Sequence, residues 1–247
     1  MWWDPQSLGD GCVHAQLGEL GLWIRQEPRE VIVSSSRDPE ADPDGLTFDT
    51  GTEPGDVEAR RFVMSDTKES VTFQPRLAER SVVVRPRIPV YLPPGQRASI
   101  FVTTPLNVLL LAGDVLLEER SIWNPPETWF GASPVDGELC YASRTSGTRQ
   151  RAELSVPPTR AVTEVLLENE GAETLEAKSI RLPMTRLNLA WDASDACLVT
   201  ETVRLVRKDA SNAELRVEAL PNNTTVLAPP RHKSAPVWKH ALAALWS

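Results

Sequence analysis

The chain has 247 residues, 41% of them hydrophobic, enough to bury one large core or two small ones. Its 34 acidic side chains outnumber 26 basic ones for a net charge of −8, which argues against nucleic acid as a partner, because phosphate binders concentrate Lys and Arg on one face. The 21 prolines and 13 glycines are spread along the whole length. That is the distribution of short strands joined by turns, so the expected fold class is all-β: two sandwich-like halves of short antiparallel strands, closed by a short C-terminal helix.

The opening Met-Trp-Trp-Asp-Pro has neither a basic start nor an apolar signal core, and the three cysteines, Cys12, Cys140 and Cys197, lack disulfide or metal spacing. A cytoplasmic location is the expectation. Cys12-Val-His14 places two metal-ligating side chains on one face of an extended segment. Tetrahedral zinc needs three or four ligands, and no C-x-x-C pair supplies the rest, so the segment reads as an ordinary strand. Strand signals follow at Leu22-Trp-Ile24 and Val31-Ile-Val33.

Residues 36–56 are rich in Asp, Glu, Pro and Gly and read as a long acidic loop with one short strand at 46–48. Glu40-Ala-Asp42-Pro-Asp44-Gly45 imitates the start of a calcium loop. The position for its bidentate Glu, eleven residues after the first ligand, is Gly51, so a solvated acidic loop is the simpler reading. Beyond it, Ser81-Val-Val-Val84, Val90-Tyr-Leu92, Ser99-Ile-Phe-Val102, Asn107-Val-Leu-Leu-Leu111 and Asp114-Val-Leu-Leu117 are strand-length apolar runs stopped by Pro, Gly or Asp. None approaches the ~18 apolar residues of a membrane span.

Residues 123–141 carry Trp123, Trp129, Phe130 and Tyr141 in or beside a proline-rich loop, with Arg120, Arg144 and Arg149 flanking it. Aromatics on a loop build a ligand platform or anchor the loop on a core. Trp123, Trp129, Phe130, Tyr141 and Arg144 are therefore the candidate ligand- or partner-binding residues, with Trp129 and Phe130 expected to pack on the body. Cys140 would need a neighbouring imidazole to act as a nucleophile. Since none of His14, His232 and His240 sits in a motif that predicts such contact, a small buried thiol is the plainer reading.

The polar run 143–151 followed by Pro157-Pro158 divides the chain into an N-terminal domain, 1–157, and an immunoglobulin-like module, 158–228. In that module Val203, Leu205, Leu215 and Val217 are expected inside, and Arg204, Arg216 and Glu218 outside. Residues 229–247 read as a proline-rich linker and an amphipathic helix over 237–246, with Trp238, Leu242, Leu245 and Trp246 on one face. Glycine-rich phosphate loops of the GxxxxGK[ST] and GxGxxG types do not occur.

Leu20-Gly-Leu-Trp-Ile-Arg25, Val84-Arg-Pro86, Val90-Tyr-Leu-Pro-Pro-Gly95, Thr104-Pro-Leu106, Glu127-Thr-Trp-Phe-Gly131 and Gly137-Glu-Leu-Cys-Tyr-Ala-Ser143 together resemble the bacterial and archaeal proteins grouped as domain of unknown function family 432. The resemblance covers nearly the whole chain. It implies a soluble, single-family protein and brings no cofactor, metal or catalytic residue to transfer. With no assembled acid, base, nucleophile or metal site, the expected function is a non-catalytic binding or assembly module that contacts a protein partner or another copy of itself. The alternative is a carbohydrate or polar small-molecule binder, or an enzyme, using residues 123–141.

Overall fold

The structure, a computed structural model, describes residues 1–9, 11–55, 57–131, 137–145, 147–209, 212–232 and 237–241. Strand accounts for 57% and helix for 3% of it, the helix being two single 3₁₀ turns, Arg151–Glu153 and Met184–Arg186. The fold is all-β. Two compact units are woven from discontinuous segments: the first takes 1–76, 106–124 and 157–159, the second 77–105, 125–156 and 160–247.

In the first unit, Leu46–Thr50, Cys12–Leu17, Leu20–Glu27, Glu30–Arg37 and Glu58–Val63 form, in that spatial order, an antiparallel five-stranded sheet. The turn at Gly18, with φ 55°, is closed by its N–H donating to the Gly45 carbonyl at 2.9 Å. A Cβ at Gly18 would stand 2.6 Å from the Pro43 carbonyl oxygen, so only glycine lets the acidic segment lie this close. A four-stranded sheet of Gln6–Ser7, Ser70–Arg76, Asn107–Ala112 and Val115–Ser121 completes the unit. Fully buried Phe73 meets Phe48 edge to face at 5.2 Å, which joins the two sheets through one apolar contact.

In the second unit, Arg160–Asn169 is the central strand of an eight-stranded sheet. One edge pairs antiparallel with Arg97–Pro105, and the other runs parallel to Cys197–Val199 and Val203–Arg207. Strands from both sides of residue 158 thus share one ladder. Among the described residues three pairings in the unit are parallel, the third joining Gly137–Thr145 to Val82–Pro86, where antiparallel pairing was expected. Parallel neighbours require long crossovers, so their partners are far apart in sequence and local turn signals cannot reveal them. Val82, Val83 and Val84 are all fully buried, as befits a strand paired on both edges and covered on both faces.

Among the described residues the expected C-terminal helix is replaced by a strand. Val237–Ala241 is a strand that pairs antiparallel with Asn212–Val217, and 242–247 lie outside the described residues. A short helix would bear the nucleation cost with little packing to offset it, whereas the open edge of Asn212–Val217 supplies five ladder positions. In the inner ladder Leu215, Val203 and Leu205 are buried as expected and Glu218 is exposed, while Val217, Arg204 and Arg216 are half-buried.

Candidate functional site

The site is built on the second unit's four-stranded sheet, in the spatial order Glu127–Gly131, Gly137–Thr145, Val82–Pro86 and Ile180–Leu182. Part of the segment expected as a loop, Glu127–Gly131, is therefore strand: Trp129 stands opposite Leu139, and Phe130 opposite Glu138. Alternation along the strands sends consecutive residues to opposite faces. One face carries Phe130, Cys140, Val83, Arg85 and Arg144, the other Trp129, Leu139, Tyr141, Val82 and Val84.

On the first face, Val83, Phe130 and Cys140 pack as a small buried cluster. Arg181 pairs with Glu138 at 2.8 Å beside it. Toward the strand ends, Arg144 and Arg85 are direct cross-strand partners in the parallel ladder. With Arg87, Pro86 and Thr145 they line a pocket of about 480 Å³. Arg85, Arg87 and Arg144 are exposed, and none of the three forms an ion pair with any described residue. Among the described residues their one side-chain bond is Arg85 donating to the Thr128 hydroxyl at 3.3 Å. Gly147, at φ 60°, brings the chain past Arg144 close over Pro86: a Cβ there would meet the proline ring at 3.0 Å.

The other sequence-derived candidates are distributed differently. Trp123 belongs to the first unit, where it is half-buried and its buried indole N–H has no partner among the described residues. Phe130 is 6% exposed, whereas Trp129 is 49% exposed, so only one of the two anchors the strand. The Trp129 indole lies over Gly137, where a Cβ would come within 2.4 Å of its nitrogen. Tyr141 is buried, with the Arg80 guanidinium 5.2 Å above its ring and its hydroxyl donating to Glu79. Burial first, and the Glu79 bond second, push the phenol up to about 12. Only Phe130, on the pocket's side of the sheet, shares a face with Arg144.

Residues 2–242 match the family model described as a protein of unknown function, DUF432. The chain is a DUF432 protein. No curated protein and no solved structure matches it. In this DUF432 protein, the segment Val84-Arg-Pro86 and, far from it in the chain, the neighbouring segments Glu127–Gly131 and Gly137–Ser143 become strands of the sheet that carries the arginine pocket. Arg85 and Arg87 escaped the reading of the sequence, although a signal was present. No Asp or Glu occurs from Arg80 to Gly113 or from Leu139 to Ala152, two acid-free stretches in an acidic chain, and they meet at the pocket.

The thiols of the DUF432 chain are occupied otherwise. Cys140 is fully buried and its Sγ–H points to Glu138, 3.4 Å from Oε1. Burial, reinforced by that carboxylate, pushes the thiol up to about 12, so it stays neutral at physiological pH and is a poor nucleophile. In the first unit, the His14 ring stacks on Trp23 at 4.7 Å and meets Asp49 at 3.0 Å, so Cys12-Val-His14 serves its sheet. The acidic segment spends carboxylates on its own turns: Asp38 accepts from the Glu40 N–H at 2.9 Å and Asp42 from the Asp44 N–H at 3.1 Å.

Proposed function

We propose that this DUF432 protein is a non-catalytic binding module that recognises an anionic group, carboxylate or phosphate, in the pocket of Arg85, Arg87 and Arg144. The direct opposition of Arg85 and Arg144 on adjacent strands, with no described carboxylate to neutralise them, carries the reading. Like charges directly opposite destabilise a sheet, so the free protein bears a local cost that a bound anion removes. Planar guanidinium forks suit bidentate carboxylate and phosphate oxygens. In a chain of net charge −8, a pocket of uncompensated positive charge also steers small anions toward it.

Calorimetric titration with pyrophosphate and with citrate at low salt tests this. One-to-one binding that weakens as salt rises is expected, reduced at least tenfold in Arg144→Thr or Arg85→Thr. The same substitutions should leave the unliganded protein as stable as before or more so, by about 0.2–1 kcal/mol in urea unfolding, because they relieve the cross-strand repulsion. Unchanged binding in both variants would refute the assignment.

A further inference from the structure

A second surface of the same unit has the features of a strand acceptor. Val90–Leu92 and Arg97–Pro105 are joined by a turn at 93–96, in which the Gln96 N–H donates to the Pro93 carbonyl at 3.2 Å. They do not pair with each other. Val90–Leu92 pairs with Leu175–Ala177, and Arg97–Pro105 with Arg160–Asn169. A groove of about 730 Å³ opens here, lined among others by Ile88, Tyr91, Arg97, Ala98, Gly147 and Arg149.

The direction of the backbone groups follows from two bonds. Phe101 exchanges hydrogen bonds with Thr148, at 2.8 and 3.2 Å, so its N–H and C=O face away from Arg160–Asn169. The Gln96 carbonyl, of opposite parity, instead accepts from the Asn169 N–H at 3.0 Å. With a period of two, Arg97 and Ser99 direct their N–H and C=O groups to the same side as Phe101. No described residue pairs with them there. Gly147 and Arg149 flank Thr148 on that side and line the groove, so the open edge faces it.

We infer that this groove binds an extended acidic peptide with alternating apolar side chains, which adds as a strand to the edge Arg97–Ser99. An unpaired edge templates such an addition through main-chain bonds, and pockets for alternate side chains select the sequence. Ile88 and Tyr91, 76% and 61% exposed, supply the apolar contacts, and the Tyr91 ring is held by its hydroxyl donating to Glu176 at 2.6 Å. Charge selects the acidic partner. Of the two arginines that line the groove, Arg149 has no ion pair among the described residues and Arg97 meets only Glu168, at 3.9 Å, while Glu176 is already engaged by Lys178 at 3.2 Å and by the Tyr91 hydroxyl.

The test uses the full chain and blocked seven-residue peptides alternating glutamate with valine, or lysine with valine, followed by fluorescence anisotropy. The acidic peptide should bind one-to-one and at least tenfold more tightly than the basic one. Its two alternately N-methylated forms should differ at least tenfold, because only one set of N–H groups faces the protein edge. Ser99→Pro, which removes an N–H the fold does not use, should weaken binding, and Arg149→Glu should weaken it while leaving pyrophosphate binding at Arg85 and Arg144 intact. Equal binding of acidic and basic peptides, or of the two methylated forms, overturns the inference. So does a dimer in sedimentation that Ser99→Pro abolishes, which would place a second copy of the chain on the edge. Loss of pyrophosphate binding alone would sink only the arginine pocket.

Discussion

Phe130 and Trp129 are neighbours in the chain with opposite fates, because adjacent strand residues face opposite sides of the sheet. Phe130 is buried against Val83 and Cys140, so Phe130→Ala should cost about 3–5 kcal/mol. Trp129→Ala should cost clearly less, since half of that side chain already faces solvent. Urea unfolding of the two variants checks the order, and a larger loss at Trp129 would contradict it. Cys140 and Tyr141 predict an alkaline limit. Both are neutral acids whose ordinary values, 9.0 and 10.0, rise to about 12 in the folded protein. Between about pH 9 and 12 the folded state therefore holds protons that the unfolded state has released, and stability falls with rising pH. Their contribution is complete below pH 9 and lost by about 12. The variant pair Cys140→Ala and Tyr141→Phe should flatten that part of the pH–stability curve, which thermal melts across this range would record.

At the scale of the element, the hairpin Glu127–Gly131/Gly137–Thr145 depends on the absence of a side chain at Gly137. A Cβ there would lie 2.4 Å from the Trp129 nitrogen and 2.9 Å from the Phe130 carbonyl oxygen, and a backbone atom cannot swing aside as a side chain can. Gly137→Ala should destabilise the protein by about 1–3 kcal/mol and displace the Trp129 indole. The indole N–H signal of Trp129, assigned by its loss in Trp129→Phe, should shift in the nitrogen-correlated NMR spectrum. An unmoved signal at unchanged stability would show that the contact does not constrain the hairpin. The sequence announced this element only in part. Ser81-Val-Val-Val84 reads as a strand without ambiguity, but 123–137, with its prolines and aromatics, reads as a loop until Gly137–Thr145 is available to pair with it. The C-terminal segment shows the converse: its four-residue apolar stripe has helical spacing, and an edge supplied by Asn212–Val217 outweighs that weak local preference.

For the whole molecule, the chain passes between its two units after Arg76, Pro105, Asn124, Val156 and Thr159. A cut at 157 separates Arg97–Pro105 from Arg160–Asn169, partners at nine consecutive register positions. Fragments 1–157 and 158–247 should therefore each lack a cooperative melt, and mixing the two should restore one; a cooperative transition in either fragment alone would contradict the prediction. What the sequence by itself determined is the class. β-branched runs of four to eight residues, alternating polarity and evenly spread turn residues allow no other layered fold, because these are local properties written within a strand's length. The family, too, was legible in segments such as Val84-Arg-Pro86 and Glu127–Gly131. Only the tertiary structure decided that Arg85 and Arg144, 59 positions apart by their residue numbers, stand directly opposite each other, and that Arg97–Ser99 keeps an open edge. Parallel pairing and register between distant strands are set by which buried faces fit together in three dimensions, and periodicity along the chain carries no record of that choice.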